Sequence, residues 1–245
     1  MLSKSHIILI SIMASFEQLG LEAHTDKIWH HGYHRFYPRY LESLRNTATG
    51  ILEIGIDHNC SVNLWLNYFP KAQIYGIDIG LEYESDRVKI FRGDQSSLSD
   101  LQQIRSKITE PLQFIIDDGS HIPEHQLLTF DYFFQNLLEP GGVYIVEDIE
   151  TSYLKNGFLY GYTTHYGYRS QKSFIERVKP LVDSINKEFL NAEAKEQNGS
   201  EVIISQETQD MISTMTFGQN CVIFTKKLPS EDGFTNRNYR LSTFL

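Results

Sequence analysis

The fold of this chain is decided by the stretch LQFIIDDGSHIPEHQLLTFDYFFQNLLEPGGVYIVED, residues 112–148. It begins and ends with short apolar runs, 112–119 and 141–148, that have the length and composition of buried strands. Between them, over 123–138, apolar residues recur every three or four positions, as they do on one face of a helix. A strand, a helix and a second strand in this order predict two parallel strands joined by a crossover helix.

The same alternation continues toward the N-terminus. Three further apolar runs are predicted as buried strands: GILEIGI (50–56), AQIYGIDI (72–79) and RVKIFRGD (87–94). Helices are predicted for the amphipathic stretches SVNLWLNYF (61–69) and LSDLQQIRSKI (98–108). Alternating strands and helices predict an α/β fold, a Rossmann-like and mostly parallel sheet with helices on both faces. Ligands of such a sheet bind at the carboxyl ends of its strands.

The C-terminal part has a different pattern. Residues 172–190 are predicted to form a helix, and 191–201 a polar surface connection. The stretch ISTMTFGQNCVIFTKK (212–227) alternates on both sides of GQN. This alternation predicts an antiparallel C-terminal hairpin that closes one edge of the sheet.

The domain organisation follows from length and hydrophobicity. The chain has 245 residues, 41% of them hydrophobic, which is enough for one domain with a sizeable core. We expect this domain over 21–245, after an N-terminal extension of residues 1–20. In the extension Lys4 precedes an apolar stretch, Ile7 to Ala14, that is too short to span a bilayer. A buried first helix is the favoured interpretation, and a weak secretory signal or a natural start at Met13 are the alternatives.

Charge and cysteine content limit the partners. A net charge of −9 and a pI near 5.5 argue against nucleic acid or an anionic membrane, because either would reward a basic patch. Two cysteines, Cys60 and Cys221, suggest neither a disulfide framework nor a zinc cluster. We therefore expect a cytoplasmic protein with a small-molecule partner.

A nucleoside cofactor without a pyrophosphate fits the first two strands. Asp78 ends the second strand 23 residues after Gly55, the spacing of an acid that binds ribose hydroxyls. The loop between them reads GIDHNCS and lacks G-x-G-x-x-G, so nicotinamide cofactors are disfavoured and S-adenosylmethionine is favoured. The alternative for Asp78 is a turn cap. Asp94 and Gln95 are placed to meet an adenine amino group, unless Asp94 or Ser97 only caps the next helix.

Three acids are predicted to converge at the sheet edge. Asp118 follows one strand, and Glu147 with Asp148 ends the next, so adjacent parallel strands bring them together. Oxygen ligands of this kind suit Mg²⁺, whereas separate solvated acids are the alternative. His121 lies three residues after Asp118, within reach of a metal-bound hydroxyl whose proton a neutral imidazole can accept. His125, four residues later, is interpreted as a solvated residue of a helix face.

Several motifs together resemble a known family. These are HTDK (24–27), WHHGYHRFYPRYLE (29–42), LEIG (52–55), SVNLWLNYFPKAQIYGIDI (61–79), GDQS (93–96), IIDDGSH (115–121) and GGVYIVEDIETSY (141–153). They resemble the metal-dependent sugar O-methyltransferases that act on rhamnose or other deoxysugar units of macrolide and anthracycline-type antibiotics. The similarity covers roughly residues 20–150. The chain departs from the family in GIDHNCSVNLW, where the family usually has more glycines.

The resemblance implies roles for particular residues. It implies that Asp118, Glu147 and Asp148 bind magnesium and that His121 is the catalytic base. It implies S-adenosylmethionine binding by a larger set: Thr25, Lys27, Glu53, Gly55, Asp78, Asp94, Gln95 and Asp117.

Two clusters admit a structural or a functional interpretation. Four histidines, His24, His30, His31 and His34, lie within eleven residues but lack a familiar metal-ligand pattern, so structural roles are favoured. The tyrosine-rich segment 152–171 is interpreted as a lid that stacks on the acceptor, with a plain surface loop or a subunit contact as alternatives.

The resulting hypothesis is an S-adenosylmethionine-dependent, Mg²⁺- or Mn²⁺-dependent O-methyltransferase. The expected acceptor is a hydroxyl of a glycosyl unit in a natural product or polysaccharide, and the expected assembly is a homo-oligomer. A catechol-type O-methyltransferase is one alternative, since three acids and a metal serve vicinal phenol oxygens equally well. A non-catalytic S-adenosylmethionine-binding protein is the other, because the GIDHNCS loop is poor in glycine.

Overall fold

The computed structural model describes residues 14–187 and 204–231. Within them an eight-stranded sheet forms the centre of the molecule. Its strands are β1 (Gly50–Ile54), β2 (Gln73–Asp78), β3 (Tyr83–Glu84), β4 (Val88–Arg92), β5 (Leu112–Asp117), β6 (Leu138–Glu147), β9 (Ile212–Gly218) and β10 (Cys221–Lys226). The strands β7 (Lys155–Leu159) and β8 (Tyr162–His165) form a separate hairpin. The strand order in the eight-stranded sheet is β3-β4-β2-β1-β5-β6-β10-β9, in which β4, β2, β1, β5 and β6 are parallel. The predicted α/β class with a mostly parallel sheet is confirmed.

Helices cover both faces of this sheet. They are α1 (Phe16–Glu22), α2 (Asp26–Trp29), α3 (Pro38–Leu41), α4 (Cys60–Tyr68), α5 (Leu98–Lys107), α6 (Pro123–Asn136), α7 (Phe174–Val178), α8 (Leu181–Ile185) and α9 (Gln206–Met211), with 3-10 turns at Tyr33–Arg35, Glu42–Leu44 and Ile149–Ser152. One apolar core lies between the sheet and α1, α2 and α4, and a second lies on the opposite face beneath α5, α6, α7 and α8. Within the described residues no helix has the length and hydropathy to cross a membrane.

The β5–α6–β6 unit has the predicted crossover geometry. Pro123 begins α6, where its fixed φ suits the first helical turn and its missing N–H costs no hydrogen bond. The helix ends at Asn136, earlier than predicted, because β6 already begins at Leu138. β5 and β6 pair in parallel with Ile116 opposite Ile145. Residues that follow β5 and β6 therefore meet at one edge of the sheet.

The C-terminal hairpin is also confirmed. β9 and β10 are antiparallel, and β10 pairs with β6 so that Cys221 lies opposite Glu147. This pairing brings the hairpin turn to the end of β6. The helix predicted over 172–190 is instead two short helices, α7 and α8, because Pro180 cannot continue a helix. Residues 188–190 and the predicted connection 191–201 lie outside the described residues.

The N-terminal segment packs on the sheet. Residues 1–13, with most of the apolar stretch and Met13, lie outside the described residues, so the alternatives for that stretch stay predictions. α1 lies partly within the predicted extension. Its Phe16 is buried and its ring centroid lies 5.0 Å from that of Tyr68 on α4. Ser15 and Gln18 form a capping box that fixes the start of this helix.

Candidate active site

A cavity of about 920 Å³ opens at the carboxyl ends of the parallel strands. The loops that follow β1, β2, β4, β5 and β6 form its wall, and the segment around α2 covers it. Eight of the predicted site residues line it: Thr25, Gly55, Asp78, Asp94, Gln95, Asp118, His121 and Asp148. The position agrees with the rule that ligands of open α/β sheets bind beyond the carboxyl ends of the strands.

Gly55 allows the loops after β1 and β5 to approach closely. Its φ is +86°, and a Cβ atom there would lie 2.1 Å from the carbonyl oxygen of Asp118. Gly119 meets a similar constraint, because a Cβ would lie 2.2 Å from Gln95 Oε1. Gly55 therefore requires glycine, because both its positive φ and the Asp118 backbone exclude a Cβ, whereas at Gly119 a Cβ would meet the end of the Gln95 side chain.

We expect Gly55→Ala to lower the free energy of unfolding by about 2–5 kcal/mol, since left-handed strain and a backbone clash add together. Gly161 provides a matched control, because its φ is +82° and no atom of the described residues lies within 4 Å of a Cβ there. Gly161→Ala should cost about 1–2 kcal/mol, the strain alone. Urea denaturation of both variants measures the difference. Equal losses would contradict the clash.

Asp78 caps its own turn and also lines the cavity. Its Oδ1 accepts hydrogen bonds from the N–H groups of Gly80 (2.8 Å) and Leu81 (2.9 Å), and its Oδ2 accepts one from Ile56 (3.2 Å). The turn-cap alternative thus describes part of its role. Three bonds to a carboxylate leave it with further acceptor capacity toward the cavity.

Asp94 and Gln95 follow β4 and have different partners. Asp94 Oδ1 accepts hydrogen bonds from the backbone N–H (2.8 Å) and hydroxyl (2.7 Å) of Ser96, which lower the pKa of this carboxyl. Ser97, not Asp94, caps α5 with its side chain. The Gln95 amide donates to both oxygens of Asp117 (2.8 and 2.9 Å). Its Oε1 accepts from the N–H of Ser120 (2.8 Å), so Gln95 fixes the loop after β5.

Three residues predicted to contact the cofactor, Lys27, Glu53 and Asp117, do not line the cavity. Asp117 is fully buried and binds Gln95 and the Thr129 hydroxyl. Burial raises the pKa of Asp117, although these hydrogen bonds oppose the shift. Asp117 thus lies beneath the loop and not on the cavity wall, so its predicted contact with the cofactor stays a prediction.

Two of the predicted metal ligands meet His121 on the cavity wall. One ligand atom from each of Asp118, His121 and Asp148 lies within 4.8 Å of the others. His121 Nε2 lies 3.8 Å from Asp148 Oδ2, and both residues are at least nine-tenths buried. His121 Nδ1 is buried and has no hydrogen-bond partner among residues 14–187 and 204–231. Both residues have positive φ, +56° and +53°, so sharp turns direct these side chains.

Glu147, the third predicted ligand, contacts Lys27 behind this group. Lys27 Nζ lies 2.5 Å from Glu147 Oε2, 2.6 Å from Asp118 Oδ2 and 3.5 Å from Glu53 Oε1. The other oxygen of Glu147 accepts a hydrogen bond from Tyr37. Glu147 is not on the cavity wall.

Burial and the charges of neighbouring groups shift the pKa values of the residues in this cluster. Burial alone would lower the pKa of Lys27, but the carboxylates of Asp118, Glu147 and Glu53 hold it well above its usual value. Burial raises the pKa of Glu53 to about 7, against the opposing effect of Lys27. Burial likewise raises the pKa of Glu147, and the charges of Asp118 and Asp148 add to the shift. The acids are thus crowded in a region of low polarity, where an additional cation would be favoured.

Sequence reasoning missed the residues that position Asp148. The hydroxyl of Tyr33 donates to Asp148 Oδ1 (2.8 Å), as does the side-chain amide of Asn220 (2.9 Å). Asn220 lies in the β9–β10 turn, and Tyr33 and Tyr37 are stacked with centroids 5.0 Å apart. The two tyrosines are four residues apart, and this spacing could have indicated that they lie on the same side of a helical segment. Nothing in the sequence places Asn220 beside Asp148.

The histidines lie closer to the cavity than predicted. His24, His30 and His31 line it, and His31 Nδ1 lies 3.3 Å from Asp148 Oδ1. His125, interpreted as a solvated helix residue, also lines the cavity and its Nδ1 lies 2.9 Å from the Ser120 hydroxyl. The first turn of α6 faces the ligand space, which explains this difference.

The tyrosine-rich segment forms a hairpin at the rim, made of β7 (Lys155–Leu159) and β8 (Tyr162–His165). The Tyr160 ring centroid lies 4.1 Å from that of His121. The Tyr162 hydroxyl donates to the His121 carbonyl oxygen (3.0 Å). The hairpin therefore restricts the position of the imidazole, while Phe158 on its outer side is 76% exposed.

The chain is similar in sequence to proteins of known activity. No protein-family model matches the chain. It is 30% identical over 228 residues to the 8-demethyl-8-alpha-L-rhamnosyl tetracenomycin-C 2'-O-methyltransferase of Streptomyces olivaceus, across 89% of this chain and 56% of that protein. It is 35% identical over 188 residues to the L-olivosyl-oleandolide 3-O-methyltransferase of Streptomyces antibioticus, across 70% and 46% of the two chains. The chain is a homologue of antibiotic sugar O-methyltransferases.

A solved structure extends this homology to the fold. The MycE methyltransferase of the mycinamycin biosynthetic pathway, solved with Mg and SAH, superposes with a TM-score of 0.73 at 26% identity. The match covers 87% of this chain and 55% of MycE. The predicted resemblance and the Rossmann-like class I methyltransferase fold are both confirmed. The chain spans about half the length of the curated relatives it matches.

Proposed function

We propose that this chain transfers the methyl group of S-adenosylmethionine to a hydroxyl of a glycosyl unit in a natural product or polysaccharide, with Mg²⁺ or Mn²⁺ required. The observation that carries the proposal is the group Asp118, His121 and Asp148 on the wall of a 920 Å³ cavity. The relatives support it, since their names are those of O-methyltransferases with a rhamnosyl or an olivosyl group in the substrate name.

The cavity residues fit S-adenosylmethionine. Gly55 and Gly119 line the cavity without a side chain, which suits a cofactor that lies against the backbone of the loops after β1 and β5. Asp78 keeps acceptor capacity for ribose hydroxyls beside its three backbone bonds. We assign the adenine amino group to Asp94 and Gln95 at the end of β4, and Thr25 to the cover of the cofactor.

The acid cluster fits a divalent cation. Carboxylate oxygens are the ligands that Mg²⁺ prefers. Four carboxyl groups lie together, Glu53, Asp118, Glu147 and Asp148, and Lys27 offsets one of their charges. We propose Asp118, Glu147 and Asp148 as the metal ligands. Glu147 can accept a further bond, because an ionised carboxylate has about four lone-pair positions and Lys27 and Tyr37 use two.

The side chains of this chain supply the remaining chemistry. A bound Mg²⁺ would hold the acceptor oxygen and favour its ionisation. His121 Nε2 faces the same group and accepts the hydroxyl proton as the oxygen attacks the sulfonium methyl. Tyr160 covers the imidazole ring and, as part of the proposed lid, limits the access of water to it. Fixed positions of acceptor, base and methyl donor provide most of the rate increase, because methyl transfer neutralises charge.

Partners and location remain parts of the proposal. We propose a glycosylated small-molecule acceptor, a cytoplasmic location and a homo-oligomer, with neither nucleic acid nor membrane as a partner. The negative net charge of −9 supports the last of these points.

A methyl-transfer screen tests the function and separates the alternatives. Purified protein is incubated with labelled S-adenosylmethionine, Mg²⁺ and either glycosides with vicinal hydroxyls or catechols. We expect label on glycosides, and its loss in excess EDTA with recovery on added Mg²⁺, because the acceptor oxygen needs the metal. Label on catechols alone would support the catechol-type alternative. Binding of S-adenosylmethionine without turnover on any acceptor would support the non-catalytic one.

A further inference from the structure

Lys27 is enclosed by acids behind the cavity wall. Its side chain is fully buried, and its ammonium contacts Asp118 and Glu147 at 2.6 and 2.5 Å, with Glu53 at 3.5 Å. The first two are proposed metal ligands. Lys27 does not line the cavity, whereas Asp118 does. The ammonium therefore lies on the inner side of Asp118, and the cavity lies on the other.

A lysine is rarely as fully buried as Lys27 is. A fully buried ammonium is expensive unless it is paired, and here three carboxylates pair with it. It belongs to α2, in the segment that covers the cavity, and its partners Asp118 and Glu147 are 91 and 120 residues away in the chain. One positive charge is thus fixed against the acids before any metal ion binds.

We propose that Lys27 is a built-in counter-cation that shares Asp118 and Glu147 with the metal ion. It keeps these acids assembled when no metal is bound, and it lowers the affinity of the occupied site so that metal exchange stays reversible. This inference rests on the proposed function, because it takes Asp118 and Glu147 as metal ligands.

The charge of Lys27 and the binding of the metal ion are thermodynamically linked. Two cations that share a carboxylate repel each other, so Lys27 and the metal ion each weaken the binding of the other. A neutral side chain at position 27 removes that repulsion and also leaves the buried acids without a counter-charge. Metal affinity should rise, and the folded state should come to depend on the metal.

The experiment measures metal binding and thermal unfolding without any methyl acceptor. Wild type, Lys27→Met and Lys27→Gln are titrated with Mn²⁺ by electron paramagnetic resonance, and their Tm is recorded in EDTA and in Mn²⁺. We expect Mn²⁺ to bind the two variants about tenfold more tightly than wild type. In EDTA their Tm should fall by about 10 °C, and Mn²⁺ should restore most of that loss.

Lys226 provides a matched control. It is also a buried lysine, but its ammonium donates to backbone carbonyl oxygens of Phe134 and Leu138, both at 2.7 Å, at the opposite end of β10 from the acids. Lys226→Met should lower the Tm equally in EDTA and in Mn²⁺ and leave Mn²⁺ affinity unchanged. A merely structural role of Lys27 would produce this same pattern.

The outcomes separate this inference from the proposed function. Wild-type protein that binds Mn²⁺ together with Lys27 variants that bind it equally or more weakly would overturn only the role of Lys27. Wild-type protein that binds no Mn²⁺ would overturn both. Variants that fold only when Mn²⁺ is present would support the inference. Failure of both variants to fold even in Mn²⁺, beside a folded Lys226→Met, would overturn it.

Discussion

Asp118→Ala is expected to abolish methyl transfer, with kcat at least about 10³-fold lower, or roughly 4 kcal/mol of lost transition-state stabilisation. Asp118 is the acid that both lines the cavity and contacts Lys27, at 2.6 Å. Its loss removes a proposed metal ligand at the point where β5 ends. Affinity for S-adenosylhomocysteine should stay within a few fold of wild type, because the residues proposed to bind its ribose and adenine, Asp78, Asp94 and Gln95, follow β2 and β4. Initial rates and calorimetric titration measure the two effects.

Two further variants determine whether this loss is specific. Asp118→Asn keeps the shape of the side chain but not its charge, so it should also lose metal-dependent activity while its fold is retained. Asp183→Ala alters an exposed acid on α8 that does not line the cavity, and should leave the rate unchanged. An Asp118→Ala enzyme with more than one-tenth of the wild-type rate would refute the metal-ligand role, as would full wild-type activity in excess chelator.

The sequence was sufficient for the five parallel strands, the C-terminal hairpin and the edge that carries the site, but not for β3, whose two residues are too few to show a strand pattern. Strand and helix periods differ, so the order of the longer elements from residue 50 to 148 could be predicted without tertiary information. Adjacent parallel strands end at one edge, and this rule placed Asp118 beside Asp148. The single helix predicted over 172–190 overlooked Pro180, whose ring and missing N–H separate α7 from α8.

The different roles of Asp117 and Asp118 depend on the face of the strand. Successive side chains of a strand point to opposite faces. Asp117, the last residue of β5, points toward Thr129 on α6, and Asp118 reaches the cavity. The two aspartates of the DDGSH motif therefore have separate functions, one in the loop structure and one on the cavity wall. The same alternation explains why Asp117 does not touch the cavity space.

Two long-range contacts of the site could not be predicted. Lys27 meets Glu147 across 120 residues, and Asn220 meets Asp148 across 72. No periodicity links α2 or the β9–β10 turn to the end of β6, because these contacts follow from the order of strands in the sheet and from packing. The sequence identified the acids of the site, but it did not identify Lys27 as the cation that pairs with them.

His121→Ala is expected to lower kcat by about 10² to 10⁴, the range for loss of a positioned general base, while Mn²⁺ and S-adenosylhomocysteine still bind. Its Nε2 lies 3.8 Å from Asp148 Oδ2, and Tyr160 and Tyr162 contact its ring and its carbonyl oxygen. These contacts hold the imidazole beside the proposed acceptor oxygen. Steady-state rates at saturating substrates measure the change in kcat, and calorimetry measures both ligands.

A second histidine tests whether this loss is specific to His121. His125→Ala should have a much smaller effect than His121→Ala, because the His125 ring contacts the Ser120 hydroxyl and not Asp148. If His121→Ala instead lost Mn²⁺ binding along with its rate, His121 would be a metal ligand and the proton would leave by another route.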